Sequence, residues 1–266
     1  MIQAIITDLD GTLLTPDGTI SPANREILKH AMSHGIRVIL ASGRRYLSTE
    51  KFARELDLDE FIIAYSGAWV KKTSAPVPII QYEMPYDASV EYMREVRGKV
   101  DLCGVYLDDT FYVEQKNDCL ERYETKSHLK AIEVNDVCEF LMGEKRNPTK
   151  IFTLAKPEIL EIITTEMRER FEGILDFVKS WETYLEVGPI GVSKGSSLLE
   201  LARRENLNLS NCVFFGDQEN DISAMEVVGI SVAMGNATQE VKQKATMIAP
   251  PNFEDGVAKV LERIMG

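Results

Sequence analysis

The sequence predicts an α/β protein with a parallel-sheet core into which an α+β domain is inserted. Three observations carry this. Over residues 2–65, short apolar runs ending in polar residues alternate with helical patterns, which is how strand–helix–strand units of a parallel sheet read. The same alternation returns over residues 193–264. Between these ends lies a stretch of hairpins mixed with helices, which a parallel sheet does not accommodate. The expected plan is a Rossmann-like sheet with helices on both faces, built from 1–82 and 188–266, with the inserted domain at 83–187.

The elements follow in chain order. Ile2 to Thr7 is an apolar run ending at Asp8, as a buried parallel strand would be. A helix follows, which Ser21 can cap and whose first turn suits Pro22. Its stripe is Ile27, Leu28, Ala31 and Met32, and Gly35 ends it. Ile36 to Ala41 reads as a second strand, 46–56 as a helix and Phe61 to Tyr65 as a third strand. In the insertion, a helix over Ala88 to Val100 precedes Leu102 to Leu107 and Phe111 to Glu114, joined as a hairpin at Asp108-Asp109-Thr110. Helical stretches near 118–128 and 136–142 lead to a strand at Lys150 to Leu154 and a helix after Pro157. Strands at Leu175 to Lys179 and Tyr184 to Val187 complete it. The core resumes with a helix from Ser193 to Asn206, a strand from Cys212 to Phe215 and a helix from Asn220 to Val228. Ile230 to Ala233 is a further strand, and a helix from about Glu254 to Ile264 closes the chain.

Composition narrows the function. With 42 acidic and 30 basic side chains the formal charge is −12, which repels nucleic-acid backbones and anionic lipid. The expected partner is a small molecule, with no nucleic acid and no membrane, and the pattern leaves the oligomeric state open. An acidic chain that handles phosphate must gather positive charge locally, from a metal ion, a few Lys or Arg, or helix N-termini. Cys103, Cys119, Cys138 and Cys212 form no C-x-x-C pair and lie in apolar or helical stretches, as packing residues rather than disulfides. No apolar run approaches the roughly 20 residues of a membrane span. Met1 leads straight into an apolar strand rather than the basic start of a signal peptide, so the expected location is the cytoplasm.

Ligands of an open parallel sheet bind beyond the carboxyl ends of its strands. Four segments stand there: Asp8-Leu9-Asp10-Gly11-Thr12, Ser42-Gly43-Arg44, Gly191-Val192-Ser193-Lys194-Gly195, and Gly216-Asp217-Gln218-Glu219-Asn220-Asp221. Each alone has an ordinary explanation, since Asp and Gly form turns and acids favour the first turn of a helix. Lys194 is the odd one out, because a cation near a helix N-terminus opposes the dipole and so suggests a nearby anion, although an exposed lysine there costs little. Together they suit phosphoryl transfer. Carboxylates hold a hard cation, one carboxylate is the nucleophile, a lysine neutralises charge, and an acid or base stands beside the leaving oxygen.

With these segments in this order, the chain resembles the haloacid dehalogenase-like hydrolases, and within them the Cof-type, sugar-phosphatase-like branch. The matching residues are Asp8-Leu9-Asp10-Gly11-Thr12-Leu13-Leu14, Ala41-Ser42-Gly43-Arg44, Val192-Ser193-Lys194-Gly195 and Gly216-Asp217-Gln218-Glu219-Asn220-Asp221. The insertion falls where that branch carries a cap. The resemblance implies a Mg²⁺-dependent phosphatase acting on a small phosphorylated metabolite, with Asp8 as nucleophile and Asp10 as general acid and then base. It implies that Asp8, the Asp10 carbonyl and Asp217 hold Mg²⁺, with Asp221 supporting the ion. Leu9, Ser42, Gly43, Lys194 and Asn220 would hold the phosphate. One departure is Ser66-Gly67-Ala68, where similar proteins carry Asn-Gly-Ala.

Other patterns carry less. Gly191 to Gly195 fits a G-x-S-x-G nucleophile elbow, but His30, His34 and His128 all precede Ser193, whereas that triad needs a later histidine. His30 and His34 share a helix face without a Glu partner, and a helix C-terminus explains them. Tyr184 and Trp181 are aromatic candidates for substrate contact. The rival readings are a phosphomutase of the same superfamily, a dehalogenase, a phosphoacceptor signalling domain and a binding protein.

Overall fold

The computed structural model describes residues 2–127 and 129–265, the side chains of Lys126, Ser180 and Trp181 excepted. His128 and the expected contact from Trp181 therefore lie outside the described residues. The chain forms two compact units, one running to Ile80 and resuming at Ser193, the other Gln81–Val192.

The first unit is built on one eight-stranded sheet. Its order is Met247–Ile248, Ile230–Ala233, Cys212–Gly216, Ala4–Thr7, Arg37–Ala41, Phe61–Ala64, Trp69–Lys72 and Ile80–Gln81. The first six run parallel, as the alternating sequence predicts, and Trp69–Lys72 runs antiparallel to Phe61–Ala64. Ile5, Ile6, Leu40, Val213 and Phe214 are fully buried, because a strand covered on both faces has no side open to water. Strand Ala4–Thr7 pairs with Arg37–Ala41 on one side and Cys212–Gly216 on the other. The chain thus winds outward in two directions from Ala4–Thr7, and the crevice at that reversal is where such sheets bind ligands.

Local rules place the helices. Ser21 accepts from the Asn24 N–H at 3.2 Å and caps helix Pro22–Ser33, while Gly35 adopts φ +79° just past its end. Helix Lys194–Glu205 starts with a reciprocal capping box between Ser193 and Ser196, and Asn206 closes it at φ +51°. Ser193 is therefore a helix cap, not a nucleophile. His30 and His34 are exposed, and the His34 ring nitrogen meets the His30 carbonyl at 2.9 Å.

In the second unit a six-stranded sheet runs Leu175–Trp181, Tyr184–Pro189, Lys150–Leu154, Leu102–Leu107, Thr110–Val113 and Ile132–Glu133. All neighbours are antiparallel except the last pair. Helices Tyr86–Val96, Val137–Glu144 and Pro157–Arg170 bury their apolar faces with Val105, Ile151, Phe177 and Leu185, alternate residues of the strands. The expected hairpin turns on Asp108 and Asp109 at φ +48° and +60°, the geometry two-residue hairpins favour. Tyr184 packs edge-on against Phe152, with ring centroids 5.2 Å apart. The helix at 86 ends four residues before the expected Val100, because Arg97 leaves the helical region and Gly98 turns at φ +74°. All four cysteines are free thiols. Among the described residues no helix is long and apolar enough to cross a membrane.

One close approach in the first unit fixes two helices. A Cβ on Gly195 would stand 2.1 Å from the Ser223 carbonyl oxygen, so only glycine lets Lys194–Glu205 lie this close to Glu219–Met225. Gly195→Ala is expected to push the pair apart and cost about 1–3 kcal/mol, read as a lower urea midpoint. An unchanged midpoint would show that the packing yields.

Candidate active site

Thr7, paired with Phe215, is the last residue of its strand, so Asp8 and Asp217 emerge side by side at the carboxyl edge of the sheet. The Asp8 N–H bonds to the Phe215 carbonyl at 2.9 Å, which ties the two strand ends together. Lys194, in the first turn of its helix, reaches the same place. Its Nζ lies 2.6 Å from Asp8 Oδ1 and 2.6 Å from Asp221 Oδ1, and the side chain is completely buried. The cation that opposes its own helix dipole thus has two anions, as its position suggested. Asp221 spends its second oxygen on the N–H groups of Asp217 (2.9 Å) and Gln218 (3.0 Å), so it fixes the start of helix Glu219–Met225. Asp217 accepts from Thr12 Oγ1 at 3.0 Å and from the Gln218 amide at 3.1 Å.

The loop after Asp8 is shaped by sterics as much as by charge. Gly11 adopts φ +77°, and a Cβ there would meet Asp217 Oδ2 at 2.3 Å. Only glycine allows the backbone to pass over that carboxylate. The Asn236 amide donates to the Gly11 carbonyl at 2.8 Å and holds the loop down. Leu9 is fully buried, so what it offers the site is its backbone.

The second strand end supplies a different set. Ser42 is buried, and its Oγ accepts from the Arg44 N–H at 3.1 Å. Against it lies the turn Tyr65-Ser66-Gly67, in which Tyr65 and Ser66 take φ +52° and +54°. Its N–H groups bond to the Arg44 and Ser42 carbonyls at 2.9 and 3.0 Å. Two adjacent non-glycine residues in this region store strain, which the neighbouring strand end must hold in place. Ser66 Oγ and the Asn220 amide both border Gly43, at 3.2 and 3.7 Å from where a Cβ would stand. Asp10 belongs to a third group. Its side chain is 59% exposed and is gripped by both fork nitrogens of Arg44, each bond 2.6 Å long. The sequence reading assigned no role to Arg44 or Thr12, although both stand within the quoted segments.

The electrostatics are lopsided. Asp8, Asp217 and Asp221 each bring a carboxylate oxygen within 4.8 Å of the others, and one ammonium faces them. Burial raises the Asp8 carboxyl well above its ordinary value; Lys194 opposes this, while Asp221, Asp217 and Asp10 add to it. Asp217 is pushed up to about 6 by burial and by the Asp221 charge. Burial alone would discharge Lys194, but Asp221 and Asp8 outweigh it and hold the ammonium above its usual range. With all three carboxylates ionised, one ammonium would leave an excess of two negative charges in a buried, all-oxygen donor set, and it is this repulsion, with burial, that raises Asp8 and Asp217 when no cation is present. That set fits a hard divalent cation such as Mg²⁺, which prefers oxygen ligands. The other such group among the described residues, Glu114, Asp136 and Cys138, already has Arg97 bridging its two carboxylates.

Comparison with known proteins decides the family. A family profile described as haloacid dehalogenase-like hydrolase matches residues 5–261. The chain belongs to the haloacid dehalogenase-like hydrolases. A relative from Haemophilus influenzae is 32% identical over 98% of both chains. A pyridoxal phosphate phosphatase from Escherichia coli is 27% identical over 97% of both. A solved structure from Thermotoga maritima superposes with a TM-score of 0.89 at 31% identity, covering 99% of this chain and 97% of that one. The chain is an enzyme of this family's phosphatase type, with the family's α/β core and inserted α+β domain.

Two outcomes follow from the buried charges. Lys194→Met removes the ammonium that, among the described residues, faces both Asp8 and Asp221, and breaking a buried pair in this way costs about 3–5 kcal/mol; equilibrium urea unfolding at neutral pH measures it. In chelator-treated protein, Asp217 holds a proton in the folded chain at pH values where the unfolded chain, near 3.8, has lost it. Its contribution to stability is therefore full below that value and falls as pH rises toward about 6. Asp217→Asn is expected to lose about 1–3 kcal/mol less than the wild type across this window. Parallel stability curves for the two proteins would contradict that.

Proposed function

We propose that the protein is a Mg²⁺-dependent phosphatase that hydrolyses a small phosphorylated metabolite, a sugar phosphate or related phosphomonoester, through an aspartyl phosphate on Asp8. The observation that carries this reading is the buried Lys194 ammonium bonded at once to Asp8 and Asp221, with Asp217 beside them. A structural ion pair does not require two surplus buried carboxylates, whereas a site for a cation and a phosphate does. In this reading the carboxylates of Asp8 and Asp217 and the Asp10 carbonyl would hold Mg²⁺, with Asp221 supporting it, and the ion when bound would offset charge on the phosphate oxygens.

The chain's own groups do the rest. Asp8 attacks phosphorus while Asp10 gives its proton to the departing oxygen. Water then attacks the same phosphorus, Asp10 takes its proton, and the bond from phosphorus to Asp8 breaks. Lys194 neutralises charge on Asp8 and the transferred group. Ser42, the backbone of Leu9 and Gly43, and the Asn220 amide hold the phosphate oxygens. The inserted domain, residues 83–187, would select the substrate, and the enzyme would act on soluble metabolites of the cytoplasm.

The test is release of inorganic phosphate from a panel of sugar, nucleotide and cofactor phosphates, pyridoxal phosphate among them, with Mg²⁺ and after its chelation. Hydrolysis that survives full chelation would sink the reading. Asp8→Asn is expected to abolish turnover. Asp10→Asn is expected to slow it by about 10²–10⁴-fold while phosphate accumulates on the protein, and near-wild-type turnover by either variant would refute the assigned roles.

A further inference from the structure

The proposed mechanism asks Asp10 to act twice at one place, yet of the four acids that mechanism uses, Asp8, Asp10, Asp217 and Asp221, it alone is largely exposed. Asp8, Asp217 and Asp221 are fixed by burial and by partners on several elements. An exposed carboxylate would otherwise spread over its rotamers, and a displacement of about 1 Å from a productive position costs about a hundredfold in rate. Something must hold it. We infer, resting on that reading of the site, that Arg44 is the positioning residue for Asp10, setting the carboxyl where both proton transfers occur.

The geometry is that of a clamp rather than a surface ion pair. Arg44 Nε and Nη2 each donate to a different oxygen of Asp10, both at 2.6 Å, so the fork fixes the plane of the carboxyl as well as its distance. Each oxygen keeps a further lone pair, so Asp10 can carry and release its proton without leaving the fork. Arg44 is itself immobilised. Its guanidinium lies over the Phe52 ring, 5.5 Å from the centroid. Its N–H is tied to Ser42 Oγ and its carbonyl to the Tyr65 N–H. The third nitrogen, Nη1, is buried and meets no hydrogen-bond partner among the described residues. The strained turn at Tyr65 and Ser66 therefore supports two things together: the Ser42 end of the site and, through Arg44, the orientation of Asp10.

The consequence is kinetic and specific to Asp10. With a phosphate ester whose leaving group needs no proton, such as 4-nitrophenyl phosphate, loss of the clamp leaves formation of the aspartyl phosphate intact. It slows the second step, in which Asp10 takes the proton from water. Arg44→Ala and Arg44→Lys are the variants, since Lys keeps the charge but lacks the planar fork. Rapid mixing with Mg²⁺ is expected to release about one equivalent of 4-nitrophenolate per site, followed by turnover about a hundredfold slower than wild type. Labelled phosphate should accumulate on the protein in acid-quenched samples. Turnover of both variants within twofold of wild type would overturn the inference. So would initial release and turnover falling together in both, the result of a structural role or of misfolding. Wild-type protein that released no 4-nitrophenolate would instead overturn the phosphatase reading, and Asp8→Asn, which has no acceptor, should show no initial release.

Discussion

Everything at the carboxyl edge of the core sheet is organised by one buried ammonium. Lys194 has no exposure, and a bare cation there would be driven to its neutral form by desolvation. The charge survives because Asp8 and Asp221 meet it from two different parts of the chain. For that meeting three things must agree: the register of Ala4–Thr7 with Cys212–Gly216, the capped start of the helix bearing Lys194, and the close approach at Gly195. A shift in any of them would strand a buried charge, which is costlier than most single packing errors. Specification of the fold and of the site are here the same constraint.

Around this centre the loops are held by backbone carbonyls captured by side-chain amides. Asn236 takes the Gly11 carbonyl, Asn252 that of Leu14 and Asn24 that of Leu13, at 2.8, 2.7 and 3.2 Å. Asn24 also accepts from the Ala258 N–H, so helix Pro22–Ser33 and the last helix of the chain share one polar tie. These amides satisfy groups that the irregular loop leaves outside any ladder. The loop's shape is thus fixed from outside itself.

Strand positions and helix caps were legible in the sequence because they are local: Ser21, Pro22 and Gly35 mark a helix, and apolar runs leading to Asp8 and Asp217 mark buried strands. The acids and the lysine could be picked out because polar residues just past buried strands have few other reasons to be there. What could not be read is non-local or short. Helix Gln239–Lys244 is polar on most sides with Val241 alone buried, so it shows no stripe. Met247–Ile248 is too short to show a period. Trp69–Lys72 carries lysines on an outer strand, which reads as loop. The grip of Arg44 on Asp10 joins residues whose spacing says nothing of contact, and the tie from Thr12 to Asp217 spans most of the chain. Asn24 carries no signal of its own, because a polar residue in the first turn of a helix looks like a solvent-facing one.

The repulsion among Asp8, Asp217 and Asp221 when all three are ionised has a thermodynamic meaning beyond catalysis. In the proposed enzyme a divalent cation relieves repulsion that folding itself creates, so part of its affinity is returned folding energy rather than coordination. Relief of repulsion depends on charge and is almost blind to ionic radius. It would reward Ca²⁺ as readily as Mg²⁺. Discrimination between them must then rest on stiffness, because the smaller ion demands near-ideal octahedral geometry and the larger one tolerates a loose cage. The bonds that hold Asp217 between Thr12 and Gln218, and the glycine that lets the backbone press on it, would act as the gauge that sets which ion fits.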